Sequence, residues 1–213
     1  MRLTLLAGVF AALVVGFLPS AAQLRRPGRC IDAVVGARIG PQKPQTPKAD
    51  PFDAELRPWT MTLKEVAVLY GSVPAGDLNV DLTMVIAVSP RIKYGVFFLA
   101  RNEDGTFEAV EWDTEVVRDD AGRFVTPIVG RFDRSAWYYP SWLPDDYEQR
   151  LKPVSYTARD GWWLSYEYSQ RFDGRVAWGR RDQNGWMIAD RALPLDEVEN
   201  WPKFRSEWAC SRG

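Results

Sequence analysis

The stretch LNVDLTMVIAV, residues 78–88, carries an apolar side chain at every even position (Leu78, Val80, Leu82, Met84, Ile86 and Val88), with Asn79, Asp81 and Thr83 between the first four. Period two is the mark of a strand with one buried face. Reading outward, residues 94–100 (YGVFFLA) are apolar on both faces and predict a central strand covered on both sides. Asn102-Glu103-Asp104-Gly105 then offers a turn before a strand over 106–113, and Asp119-Asp120-Ala121-Gly122 turns the chain before 124–132.

The second half repeats the grammar. Asp160-Gly161, Asp173-Gly174 and Asn184-Gly185 separate strands carrying Trp162, Leu164, Tyr166 and Tyr168, then Val176 and Trp178, then Trp186 and Ile188. Glycine and asparagine tolerate the positive φ that two-residue hairpin turns require. Short helices are predicted over 194–201, closed by Pro202, and over 145–151 with an aspartate cap. The expected fold is mainly β: an antiparallel, hairpin-built barrel or sandwich of about eight or nine strands with one or two short helices.

Residues 1–22 read as a secretory signal peptide. Met1-Arg2 precedes an uncharged apolar run from Leu3 to Leu18, then Pro19 and the small residues Ser20, Ala21 and Ala22, so cleavage is expected before Gln23. The run is short for a membrane span, and no stable membrane insertion is expected after cleavage. Residues 23–58 read as a proline-rich extended strap, with Pro41, Pro44, Pro47, Pro51 and Pro58 interrupting regular structure, and 59–213 as the β domain. The only cysteines, Cys30 and Cys210, would be delivered to an oxidising compartment and are expected to pair within the chain, which makes the protein secreted or periplasmic.

The chain contains no histidine. Ser-His-Asp and Cys-His catalysis, imidazole metal ligation and the imidazole pH switch are therefore closed to it. No phosphate-binding glycine motif occurs, and the turn aspartates lack the full spacing of a helical calcium loop, so neither cofactor nor metal is expected. The 27 basic and 28 acidic residues nearly balance, which gives no broad attraction to nucleic acid. Carboxylate chemistry stays open, but acid pairs such as Asp119-Asp120 and Asp145-Asp146 fall at a turn and a helix start, where acids have local structural work. No catalytic residue is assigned.

Ten tryptophans are the informative surplus, densest in Trp137-Tyr138-Tyr139-Pro140-Ser141-Trp142-Leu143-Pro144 and on to Tyr147. With two prolines and no alternation, this is a loop between two groups of strands. Trp137, Tyr138, Tyr139, Trp142 and Tyr147 are the candidate ligand-binding residues, since such rings suit a glycan, a small apolar ligand or an envelope protein. Alternatively the loop folds over the sheet and seals the core. If the rings bind, some must be exposed or line a cavity; if they seal, they must be buried together. Arg171, Arg175, Arg180 and Arg181 could hold an anion or form a solvated sheet edge. The expected function is a non-enzymatic exported binding or interaction domain; the alternatives are a glycosidase-like carboxylate hydrolase and a structural or inhibitory subunit of an envelope complex.

Overall fold

The computed structural model describes residues 29–45, 56–132, 140–157, 172–176, 178–181 and 187–210. Five strands, β1 (Ala33–Pro44), β2 (Arg57–Gly71), β3 (Leu78–Met84), β4 (Tyr94–Arg101) and β5 (Phe107–Asp113), close a barrel in the order β1-β2-β3-β5-β4. All its pairings are antiparallel except β3 with β5, which are parallel through Val80↔Phe107 and Asp81↔Glu108. A run of hairpins alone cannot make that parallel contact. The chain leaves β3, crosses to pair β4 with β1, and returns as β5 between β4 and β3.

The barrel interior follows from alternation. Along β3, Leu78, Val80, Leu82 and Met84 are buried while the residues between them are not. They meet Ala33, Val35 and Ala37 of β1, Trp59, Met61 and Leu63 of β2, Phe97 and Leu99 of β4, and Phe107 and Ala109 of β5. Ile86, read from the sequence as part of the same face, lies past the strand end and is 54% exposed.

β4 is buried on both faces, as its sequence predicts. Phe97 and Leu99 point into the barrel; Val96, Phe98 and Ala100 belong to a second core on its outside. That outer core is roofed by the C-terminal half, notably Trp142, Leu143, Tyr147, Leu193, Leu195, Val198, Trp201, Phe204 and Trp208. Gly36 of β1 allows the roof to approach closely: a Cβ there would lie 2.5 Å from the Phe124 ring.

The remaining strands are short. β6 (Val117–Arg118), β7 (Phe124–Pro127), β9 (Lys152–Pro153) and β13 (Arg191–Pro194) form one sheet in the order β6-β7-β13-β9. β8 (Gly130–Phe132) pairs with β10 (Phe172–Val176), and β11 (Gly179–Arg181) with β12 (Met187–Ala189). Gly105 and Gly122 take positive φ in the two turns expected of them. The Asp173-Gly174 turn is not a hairpin tip: it lies within β10, where the five residues from Phe172 to Val176 span only the three from Phe132 to Gly130. Among the described residues, the helices are a single α turn, α1 (Tyr147–Arg150), a 3-10 helix (Leu195–Asn200) and a π-helical turn (Phe204–Trp208) that the sequence does not announce.

The proline-rich stretch contributes more than a strap. Residues 33–44 within it form β1, so the barrel begins inside residues 23–58. Proline is tolerated because pairing with β4 stops at Arg38, while Pro41 falls where the β1–β2 register shifts and Pro44 ends the strand. Cys30 and Cys210 are disulfide-bonded, with Cα atoms 4.8 Å apart. Beside the bond, Ile31 donates its N–H to the Trp208 carbonyl and Cys210 donates to the Ile31 carbonyl, joining the entry to β1 to the C-terminal turn. Among the described residues, no helix is long and apolar enough to cross a membrane.

Candidate functional site

The described part of the aromatic segment begins at Pro140 and is held by carboxylates of β5. Pairing between β4 and β5 slips at Val110, since Phe98 faces Glu111 but Leu99 faces Ala109. This bulge re-phases the strand, so Glu111 and Asp113 share the outer face with Phe98 and Val96. Ser141 donates its hydroxyl to Glu111 Oε2 at 2.6 Å, Trp142 donates its indole N–H to Asp113 Oδ2 at 3.1 Å, and Lys203 Nζ donates to the Ser141 carbonyl at 2.9 Å. Glu111 is only 3% exposed, so its carboxylate depends on such donors.

Trp142 and Tyr147 are buried in the outer core, with 4% and 2% exposure. Trp142 stacks on Trp201 and packs against Phe98, which also meets Trp208. Tyr147 opens the single turn α1, where Asp146 serves less as a cap than as a partner for Arg150, accepting from its Nε at 2.8 Å and Nη2 at 2.7 Å. These hydrogen bonds hold the Asp146 carboxyl below its ordinary range. Trp137, Tyr138 and Tyr139 lie outside the described residues. The structure thus brings two of the five predicted rings together, and it brings them together as roof.

Glu111 and Asp113 went unnoticed in the sequence. A strict alternation from Phe107 and Ala109 would have pointed Glu111 into the barrel, and nothing in the residue order signals the bulge. The pair can supply hydrogen-bond acceptors to a loop. Among the described residues, no cluster of three or more acids and cysteines suits a metal ion.

Of the arginine group, Arg171 lies outside the described residues, as do the side chains of Arg175 and Arg181. Arg180 is exposed and pairs with Asp190. A different arginine is better held. Arg118 lies over the Phe124 ring at 4.6 Å and the Tyr94 ring at 5.6 Å, and donates from Nη2 to the Glu65 carbonyl. Glu65 also pairs with Arg38 and has φ +49° at the β1–β2 irregularity, a conformation a non-glycine residue keeps only when its surroundings enforce it.

A concavity lies beside the disulfide. A cleft of about 360 Å³ is lined by Ile31, Asp32, Tyr70, Gly71, Ser72 and Cys210. It forms where β1 and β2 begin to pair and the C-terminal turn docks against them.

The chain matches no known protein family, no curated protein and no solved structure.

Proposed function

We propose that this protein is an exported, non-enzymatic binding domain, which meets an oligosaccharide through the aromatic segment ending at the Pro140–Leu143 anchor. The observation that carries the reading is the anchor itself. Three separate elements, β5, the Trp201 segment and Lys203, hold Ser141 and Trp142, so the described end of the aromatic segment is fixed to the core. Fixing one end of a recognition segment lowers the ordering cost of binding. In this reading Trp142 and Tyr147 are the root of the site, and the three preceding rings are its contact surface. Tyrosine and tryptophan offer sugars a flat apolar face and a polar tip.

The barrel order agrees with such a role, because five-stranded Greek-key barrels are used as scaffolds for oligosaccharides and oligonucleotides. The slightly acidic charge balance weighs against the nucleic acid. Glu111 and Asp113 already hold Ser141 and Trp142, and Asp146 holds Arg150, which supports binding over carboxylate hydrolysis.

The test is calorimetric titration of the purified protein with cell-wall and other glycans, repeated with Trp137→Ala, Tyr138→Ala and Tyr139→Ala. Binding that is lost in these variants, with melting unchanged, supports the proposal. Glycan turnover abolished by Glu111→Gln or Asp113→Asn would instead establish the hydrolase. Absence of glycan binding, with stoichiometric recovery in an envelope complex, would establish the subunit.

A further inference from the structure

We propose that the cleft beside the Cys30–Cys210 disulfide is a second binding site, built for a primary ammonium group on a short apolar stem. It uses none of the five aromatic residues of the loop.

The charge argument starts from Asp32. Asp32 lines the cleft, and among the described residues its carboxylate has no ion-pair partner. Among the described residues, Arg29 and Arg101 are the basic residues beside it in sequence or pairing, and both are committed elsewhere. Arg29 binds Glu108 and Asn102, and the Arg101 guanidinium lies over the Phe107 ring at 4.7 Å. An anionic oxygen in a concave site raises the local concentration of cations.

The two oxygens of Asp32 are not equivalent. Oδ2 accepts the Arg101 backbone N–H at 2.7 Å, whereas Oδ1 lies 3.5 Å from the Cys210 sulfur, which also lines the cleft. A disulfide sulfur carries no hydrogen, so among the described residues Oδ1 has no donor. A guanidinium is recognised best by both oxygens of a carboxylate, and here one is already engaged. An ammonium is a compact donor that a single oxygen serves well.

The other walls suit the same ligand. Tyr70 is fixed edge-on to Phe204, with ring centroids 4.8 Å apart, and gives a rigid aromatic wall for the stem or the cation. Ser72 adds a hydroxyl that can accept a second ammonium N–H. Ile31 contributes the apolar floor, and the volume is near the lower end of small-molecule sites. Gly71 is required by the backbone: its φ is +72°, and a Cβ would lie 1.9 Å from the Asp32 carbonyl.

The test titrates the oxidised protein with n-butylammonium, following amide shifts by NMR, with n-butanol, butyrate and n-butylguanidinium as controls. Saturable shifts centred on Asp32, Gly71 and Ser72 are expected from n-butylammonium, weaker ones from the guanidinium, and none from the alcohol or the acid. Asp32→Asn keeps an acceptor for the Arg101 N–H and should weaken ammonium binding about tenfold or more with melting unchanged. Linear, non-saturating shifts in the wild type, or saturation mapping away from this cleft, would overturn the site. Equal affinity for ammonium and guanidinium, or undiminished binding by a folded Asp32→Asn, would overturn its assignment.

Discussion

Trp142 and Trp201 lie nearly parallel, with ring centroids 6.0 Å apart and planes inclined by 18°. One ring comes from the anchored loop and the other from the residue that ends the 3-10 helix, so their stack ties the middle of the chain to its end. Both are almost fully buried against Phe98 and its neighbours. Truncating a buried tryptophan to alanine costs about 3 to 5 kcal/mol. Trp142→Ala and Trp201→Ala should each lose stability on that scale. Their double variant should lose less than the sum, because each single change already breaks the shared contact. Urea denaturation of the four proteins measures this, and strict additivity would show that the stack contributes nothing of its own.

Gly36 and Phe124 make a tight seam between the barrel and its roof. The glycine needs no unusual φ; it needs to be small, because the ring occupies the space of its Cβ at 2.5 to 3.0 Å. Gly36→Ala must push away a ring that also carries Tyr94 at its edge and Arg118 over its face. Overpacking of this kind costs about 1 to 3 kcal/mol. Adding Phe124→Leu to the alanine variant should restore part of the loss, although Phe124→Leu alone is destabilising. A Gly36→Ala protein with the wild-type melting temperature would disprove the seam.

These seams show what the residue order could and could not reveal. The alternation of Leu78, Val80, Leu82 and Met84 and the two-sided apolar run around Phe97 and Phe98 are local patterns, and both read through to the fold. Closure is not local. The parallel contact of β3 with β5 depends on where β4 goes, and the entry of β1 into a proline-rich stretch depends on which of its amides face a partner. Nor could the loop sequence orient Trp142 and Tyr147, since a segment without a period has no face to assign. Glu111 is the sharpest case, because one extra residue at Val110 moves it from the barrel phase to the outer face. The Asp32 cleft joins residues from three distant parts of the chain.

The Cys30–Cys210 bond fastens the C-terminal turn that carries Phe204 and Trp208 to the entry of β1. The paired exchange between Ile31 and the Trp208 and Cys210 backbone would have to hold that junction alone after reduction. Replacing both cysteines by serine should cost about 2 to 5 kcal/mol. Hydrogen exchange should rise first at Ile31 and Ala209, before the barrel strands β2 and β3 respond. Uniform loss of protection across the barrel would mean that the bond supports the whole fold and not this junction.

Tyr156 provides a pH signature. Burial disfavours its phenolate, and although the Ala189 N–H donates to its oxygen at 2.9 Å, the Tyr156 hydroxyl is pushed up from 10.0 to about 12. A group whose pKa is higher in the folded state binds its proton longer there than in the unfolded chain. Its contribution is therefore complete below pH 10 and is lost as the pH rises from 10 through 12. Two units correspond to at most about 2 to 3 kcal/mol. Tyr156→Phe cannot ionise but leaves the Ala189 N–H without its acceptor, so at pH 9 it should be less stable than the wild type by about 1 to 2 kcal/mol. As the pH climbs toward 12 the wild type should lose stability faster, and the gap should close. Denaturation midpoints of both proteins at intervals from pH 9 to 12 measure this, and parallel curves would show that Tyr156 ionises as freely in the folded chain as in the unfolded one.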